Sequence, residues 1–166
     1  MSECEKLPSI ISLTDYNGDW SQYENALYTI FHQDFIESTP FFQGKPVDII
    51  HQKQYKNKER SFWHIISEGK TDEDRLPIME RCECIGWIKS LITEDGECNF
   101  YRIWKKFHHK TNKERYYIWC TNVHYIVILE DRENHFKLIT AYPVAHYNRR
   151  KYEKDYNEYQ KTKTPT

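Results

Sequence analysis

Two hydroxyls close the apolar run "FKLITAY": Thr140 and Tyr142 stand just before Pro143, and Arg149, Arg150 and Lys151 follow soon after. A Thr or Tyr hydroxyl can donate a hydrogen bond to a phosphoryl oxygen or pass a proton to a leaving oxygen, and guanidinium groups hold phosphate. Strand side chains alternate, so Thr140 and Tyr142 share a face. Phe136 and Leu138 fall on that face too, which keeps a packing role open. His64, within "SFWHII", is a second centre of chemistry, because imidazole is the commonest general acid or base near neutral pH. Among such large apolar neighbours it reads more often as a hydrogen-bonded core residue than as a catalyst.

Between Asn99 and Tyr116 the cations Arg102, Lys105, Lys106, Lys110, Lys113 and Arg115 face one acid, Glu114. Tyr101, Trp104, Tyr116 and Tyr117 interleave with them and offer base stacking worth ~1–3 kcal/mol per base. The plainer reading is a solvated hairpin whose rings face the core. Arg81 lies in an otherwise apolar helical pattern, "MERCECIGWIK", and needs an anionic partner, whether Glu83, Asp48 or an RNA phosphate. Cys82 and Cys84 with Cys98 and Cys120 are a poor zinc set, since the first pair is separated by one residue. No phosphate-loop glycine pattern, serine elbow or paired-carboxylate-plus-lysine site is present. No metal and no cofactor is expected.

The elements that must position these groups follow from periodicity. Asp19 caps a helix through "WSQYENALYTIFHQDFIES", with Trp20, Tyr23, Leu27, Ile30 and Phe31 on one side. "KPVDII" reads as a strand. "SFWHIISEG" reads as a short helix or turn closed by Gly69, and "PIMERCECIGWIKSLITE" as one helix with Pro77 at its start and Gly86 as a weak point. "FYRIWKKF", "RYYIWCT", "HYIVILED" and "FKLITAY" are four strands joined by polar turns. "YNRRKYEKDYNEYQ" is a polar helix. The expected fold is α+β: N-terminal helices packed on a four-stranded antiparallel β-meander, with a C-terminal helix.

Length predicts one domain over residues 1–160 with a flexible tail at 161–166. The formal net charge of −1 confines any nucleic-acid contact to a local patch, and 13 Tyr, 5 Trp and only 5 Gly describe a ring-rich, ordered globule. "YIVILE" is too short to span a bilayer, and "MSECEKLPSI" lacks the regions of a signal peptide. An odd number of cysteines without such a signal fits reduced thiols, so no membrane association and a cytoplasmic location are expected.

The segments "FFQGKPVD", "SFWHIISEG", "RLPIMERCECIGWIKSLI", "YIVILEDRENHFKLITAYPV" and "RRKYEKDY" resemble a family of small phage- and plasmid-associated bacterial proteins. That family is similar to the barnase, EndoU, RNase-colicin and RelE (BECR) group of metal-independent RNases. The similarity runs from about Phe41 to Tyr156. Where the family pattern has a second arginine, in an "RCERI"-like run, this chain has Cys84. The resemblance implies a single BECR-like RNase domain acting as a toxin or phage-conflict effector that cuts RNA by 2′-OH transesterification. Matching positions imply His64 and Glu83 as proton carriers, Arg81 on phosphate and Thr140 and Tyr142 as hydrogen-bond donors. Trp87, Lys89, Lys105, Lys106, Arg149 and Arg150 would hold RNA. A neutralising antitoxin or immunity protein would be a further partner. A silent RNA-binding module and a protein-interaction factor or inhibitor remain the rival expectations.

Overall fold

A computed structural model describes residues 7–93 and 100–163. Helix α1 (Trp20–Phe35) begins where the Asp19 carboxylate accepts the Gln22 amide at 3.2 Å, and buries Tyr23, Leu27, Phe31 and Phe35 every fourth residue. Helix α2 (Arg60–Ile66) buries Ser61, Phe62, Trp63, Ile65 and Ile66. It does not run on to Gly69: the chain turns extended at Ser67 and forms the short strand β3 (Ser67–Glu68) against β4 (Leu76–Pro77). Pro77 therefore ends a strand rather than opening a helix. Gly69 is required where the hairpin closes, because a Cβ there would lie 2.6 Å from the Arg75 Cα.

The single helix expected after Pro77 is two, α3 (Met79–Glu83) and α4 (Trp87–Thr93). The break is tied to the N-terminal segment. Ile11 donates its amide to the Glu83 carbonyl at 3.1 Å, and a Cβ on Gly86 would meet the Pro8 ring at 3.2 Å. A side chain at position 86 would crowd the Pro8 ring, so the contact favours glycine there.

The expected four-stranded antiparallel meander is corrected by the topology. Strands β1 (Phe41–Phe42), β2 (Lys45–Asp48), β5 (Tyr101–His108), β6 (Lys113–Cys120), β7 (Tyr125–Asp131) and β8 (Phe136–Pro143) form one six-stranded mixed sheet in the order β1-β2-β8-β7-β6-β5. β2 lies parallel to β8, with Val47 opposite Phe136. Val47 is buried, and charged side chains pin the flank: Lys45 donates to Asp131 at 2.7 Å, and Lys137 donates to the Ile49 carbonyl at 3.1 Å. Without β2 the backbone of apolar β8 would be an open edge.

A bulge then sets the two faces of β8. Leu138 pairs with Leu129 but Thr140 pairs with Ile128, leaving Ile139 as an extra residue. Phe136, Leu138 and Ala141 enter the large core beneath α1–α4, whereas Ile139 and Tyr142 pack against Trp104, Trp119, Ile126 and Ile128 on the other side. The expectation that Phe136 and Leu138 share the face of Thr140 and Tyr142 is thus overturned. Helix α5 (His146–Lys163) covers that second face through Tyr152, and it continues three residues into the segment expected to be a tail. No described helix is long and apolar enough to cross a membrane.

Candidate functional site

The end of β8, the β3–β4 hairpin, α3 and the first turn of α5 enclose an open groove of about 280 Å3 lined by Glu68, Glu80, Arg81, Tyr142, Tyr147 and Asn148, among others. Arg81 is its centre. Its guanidinium stacks over the Tyr142 ring, 5.5 Å from the centroid, and donates to the Glu68 carboxylate at 2.8 Å and to the His64 carbonyl at 3.4 Å. The α2 carboxyl end thus holds a cation that would otherwise have no reason to leave water.

Tyr142 is fixed from the other side. Its hydroxyl shares a 2.5 Å hydrogen bond with the Tyr152 hydroxyl. Burial first, and the bond to Tyr142 second, push the Tyr152 hydroxyl well above the usual tyrosine range, so Tyr152 stays protonated. Pro143 stops β8, and Ala145, Tyr147 and Asn148 bring the amino end of an 18-residue helix to the same groove. The positive end of a helix, a guanidinium and a phenol therefore converge on one space, together with the Glu68 and Glu80 carboxylates.

The other expected residues are placed elsewhere. His64 lends its carbonyl to the groove wall, but its imidazole is half-buried and does not line the groove. Burial first, then the charges of Arg75 and Arg60, lower the imidazole pKa and keep the ring neutral. Glu83 does not line the groove; its charge helps raise the pKa values of Tyr23, Cys82 and Cys84. Thr140 faces the α5 side of the sheet with Ile128. Trp87 is structural: its indole donates to the Pro8 carbonyl at 2.7 Å and its ring meets Tyr125 edge-on. Lys89 donates to Ser38 Oγ at 3.4 Å and partly offsets the burial that raises the Asp34 pKa.

Three of the six ridge cations are paired with carboxylates among the described residues. Arg102 meets Glu153 at 3.5 Å, Lys106 meets Asp155 at 3.4 Å and Arg115 meets Glu130 at 2.9 Å, while Lys105 is exposed. Its rings serve the core: Trp104 is buried, stacked on Tyr117, and Tyr116 packs on Phe42 and Phe136. Arg149 donates to the Val144 carbonyl and Arg150 lies exposed on α5. Among the described residues no group of three or more His, Cys, Asp or Glu side chains is placed to hold a metal ion. Burial pushes the Cys82 and Cys84 thiols up to about 12, and Cys98 lies outside the described residues.

Sequence reasoning missed Glu68, Glu80, Tyr147 and Tyr152. Only Tyr147 carried a signal, as a ring in the first turn of a polar helix, and it is 82% exposed. Comparison with family models, with curated proteins and with solved structures gives no match for this chain.

Proposed function

We propose that the chain is an endoribonuclease that needs no metal and cuts RNA by attack of the ribose 2′-OH on the adjacent phosphate. The observation that carries this reading is the meeting of Arg81, Tyr142 and the amino end of α5 around one open groove. The phosphate lies against the guanidinium and the helix end. The Glu68 carboxylate takes the 2′ proton as the 2′ oxygen bonds to phosphorus. The bond from phosphorus to the 5′ oxygen breaks, and Tyr142 supplies that oxygen with a proton, which it regains from water at the open groove. The resemblance to the metal-independent RNases of phages and plasmids supports the same reading, as does its expected role as a toxin with a neutralising protein partner.

His64 is then a positioning residue, acting through the carbonyl that holds Arg81. The family pattern assigns it a proton-carrying role, so two variants separate the readings. Purified protein in EDTA should cut RNA to 2′,3′-cyclic phosphate and 5′-OH ends. Glu68→Gln should lower that rate by ~10²-fold or more, and His64→Gln by clearly less. Tight, salt-sensitive RNA binding with no cleavage product would select the silent RNA-binding module instead.

A further inference from the structure

A second cavity, of about 140 Å3, lies behind the β3–β4 hairpin, between the start of α1, the loop carrying Tyr55 and α2. Adjacent strand residues point to opposite faces, so Ser67 lines this cavity while Glu68 lines the groove. Three of its walls are rings. Tyr55 and Trp63 meet edge to face at 5.6 Å, and the Trp63 indole donates to the Tyr55 carbonyl at 2.9 Å, which fixes the corner they form. Trp20 is held by a 3.1 Å bond from its indole to Glu24.

The charge around these rings favours a cation. Glu24, Asp72 and Glu73 line the space against Lys56 and Arg75. Arg75 is held in place by neutral acceptors, the Ser67 hydroxyl and the carbonyls of Trp63, Ser67 and Gly69. Glu24 is paired with Lys58 at 3.9 Å, so Asp72 and Glu73 are the carboxylates that would face a cation. The Lys56 ammonium already lies over the Tyr55 ring, 5.3 Å from its centroid, and Lys56 is exposed enough to leave for water. A pocket far below the ~300 Å3 of a drug-sized site admits one small head group.

We propose that this cavity binds a methylated ammonium group. Such a cation spreads its charge over methyl surface, sheds water at little cost and gains from both ring faces and carboxylates. The site is independent of the nuclease reading. The test follows the Trp20 and Trp63 indole signals by nuclear magnetic resonance during titration with tetramethylammonium chloride. Saturable shifts are expected, weakened roughly fivefold or more by Tyr55→Leu and more mildly by Glu73→Gln, an exposed change that leaves the fold intact. Choline and a trimethyllysine peptide, compared next, separate a free small molecule from a protein partner as its source. Absence of saturable shifts in the wild type, equal binding of neutral tert-butanol, or binding of guanosine monophosphate in place of the cation would each overturn the proposal.

Discussion

The Arg81 guanidinium lies over the ring of Tyr142 at 5.5 Å, although the two residues come from different layers of the fold. Arg81 belongs to a helix beneath one face of the sheet, and Tyr142 to the opposite face at the mouth of β8. They meet only because β8 ends at Pro143 and leaves the sheet's rim open beside α3. Arg81→Gln removes the cation while keeping a polar side chain, so RNA cleavage is expected to fall by ~10²–10³-fold. Arg81→Lys should recover little of it, since one ammonium cannot reproduce the stack and both donor directions. A full rate in Arg81→Gln would remove the groove from the mechanism.

Tyr142→Phe separates packing from proton supply. The ring remains for Arg81, but the bond to Tyr152 and the proton for the leaving oxygen are lost. Leaving a buried hydroxyl at Tyr152 without its partner costs about 1–2 kcal/mol, to be read as a lower urea midpoint. Cleavage should drop by ~10²-fold or more, and a substrate with a more acidic leaving group should recover part of that loss. If that substrate shows no recovery, Tyr142 is not the donor.

Ile139 is the extra residue of the β8 bulge. Deleting it would close the bulge: Leu138 would still oppose Leu129 and Thr140 would still oppose Ile128, so strict alternation returns with both segments on their present faces. Tyr142 keeps Tyr152 and Arg81, Phe136 and Leu138 keep the main core, and what is lost is the packing of Ile139 on the second core. The deletion should therefore be tolerated at about 1–3 kcal/mol, the loss of one partly buried Ile. Hydrogen exchange should place the loss in β7 and β8, and a stability change confined to the α1–α2 region would contradict the assignment.

The same bulge marks the limit of what the sequence made legible. Asp19 as a cap, the apolar face of α1 and the strand-forming runs after residue 99 were readable because each rests on neighbours within a few residues. The parallel seat of β2 on β8 was not, since Val47 and Phe136 are far apart in the chain and the signal is only a short apolar run. The bulge gives no compositional mark in "KLITAY". For the site, Arg81 and Tyr142 were singled out by residue type, while Glu68 was invisible because an exposed Glu beside Gly69 looks like any turn residue. Glu83 was singled out by its match to the family motif, and helical geometry turns its side chain away from that of Arg81, two positions along.

Glu130 is fully buried between strands and accepts from Arg115 at 2.9 Å, Arg132 at 2.7 Å and Thr111 at 2.8 Å. Burial opposes its charge, but these three donors outweigh it, and its pKa is lowered. A depressed carboxylate contributes stability above its unfolded value, and loses it as pH falls through the folded one. Glu130→Gln should cost about 2–3 kcal/mol at neutral pH. The gap between wild type and variant should close only below about pH 4. A gap independent of pH would mean that the cluster acts through shape rather than charge.

His64 gives the second pH dependence, in a different window. Burial first, then Arg75 and Arg60, lower its pKa from the ordinary 6.5, while Asp72 opposes them. The unfolded chain then binds the proton more readily than the folded one, so the stability associated with the neutral ring is complete above 6.5 and declines as pH falls below it. His124, lowered by burial and by Arg149 and His146, contributes with the same sign. Urea midpoints taken from about pH 8 to about pH 5 should therefore fall in the wild type. The fall should be shallower in His64→Gln or His124→Gln, and shallowest in the double variant. The Arg75→Gln variant carries the argument further, because removing that charge eases protonation of His64 and should flatten the wild-type slope without touching the ring. A slope unchanged by His64→Gln would place the imidazole in water, away from the guanidinium groups of α2 and the β3–β4 hairpin.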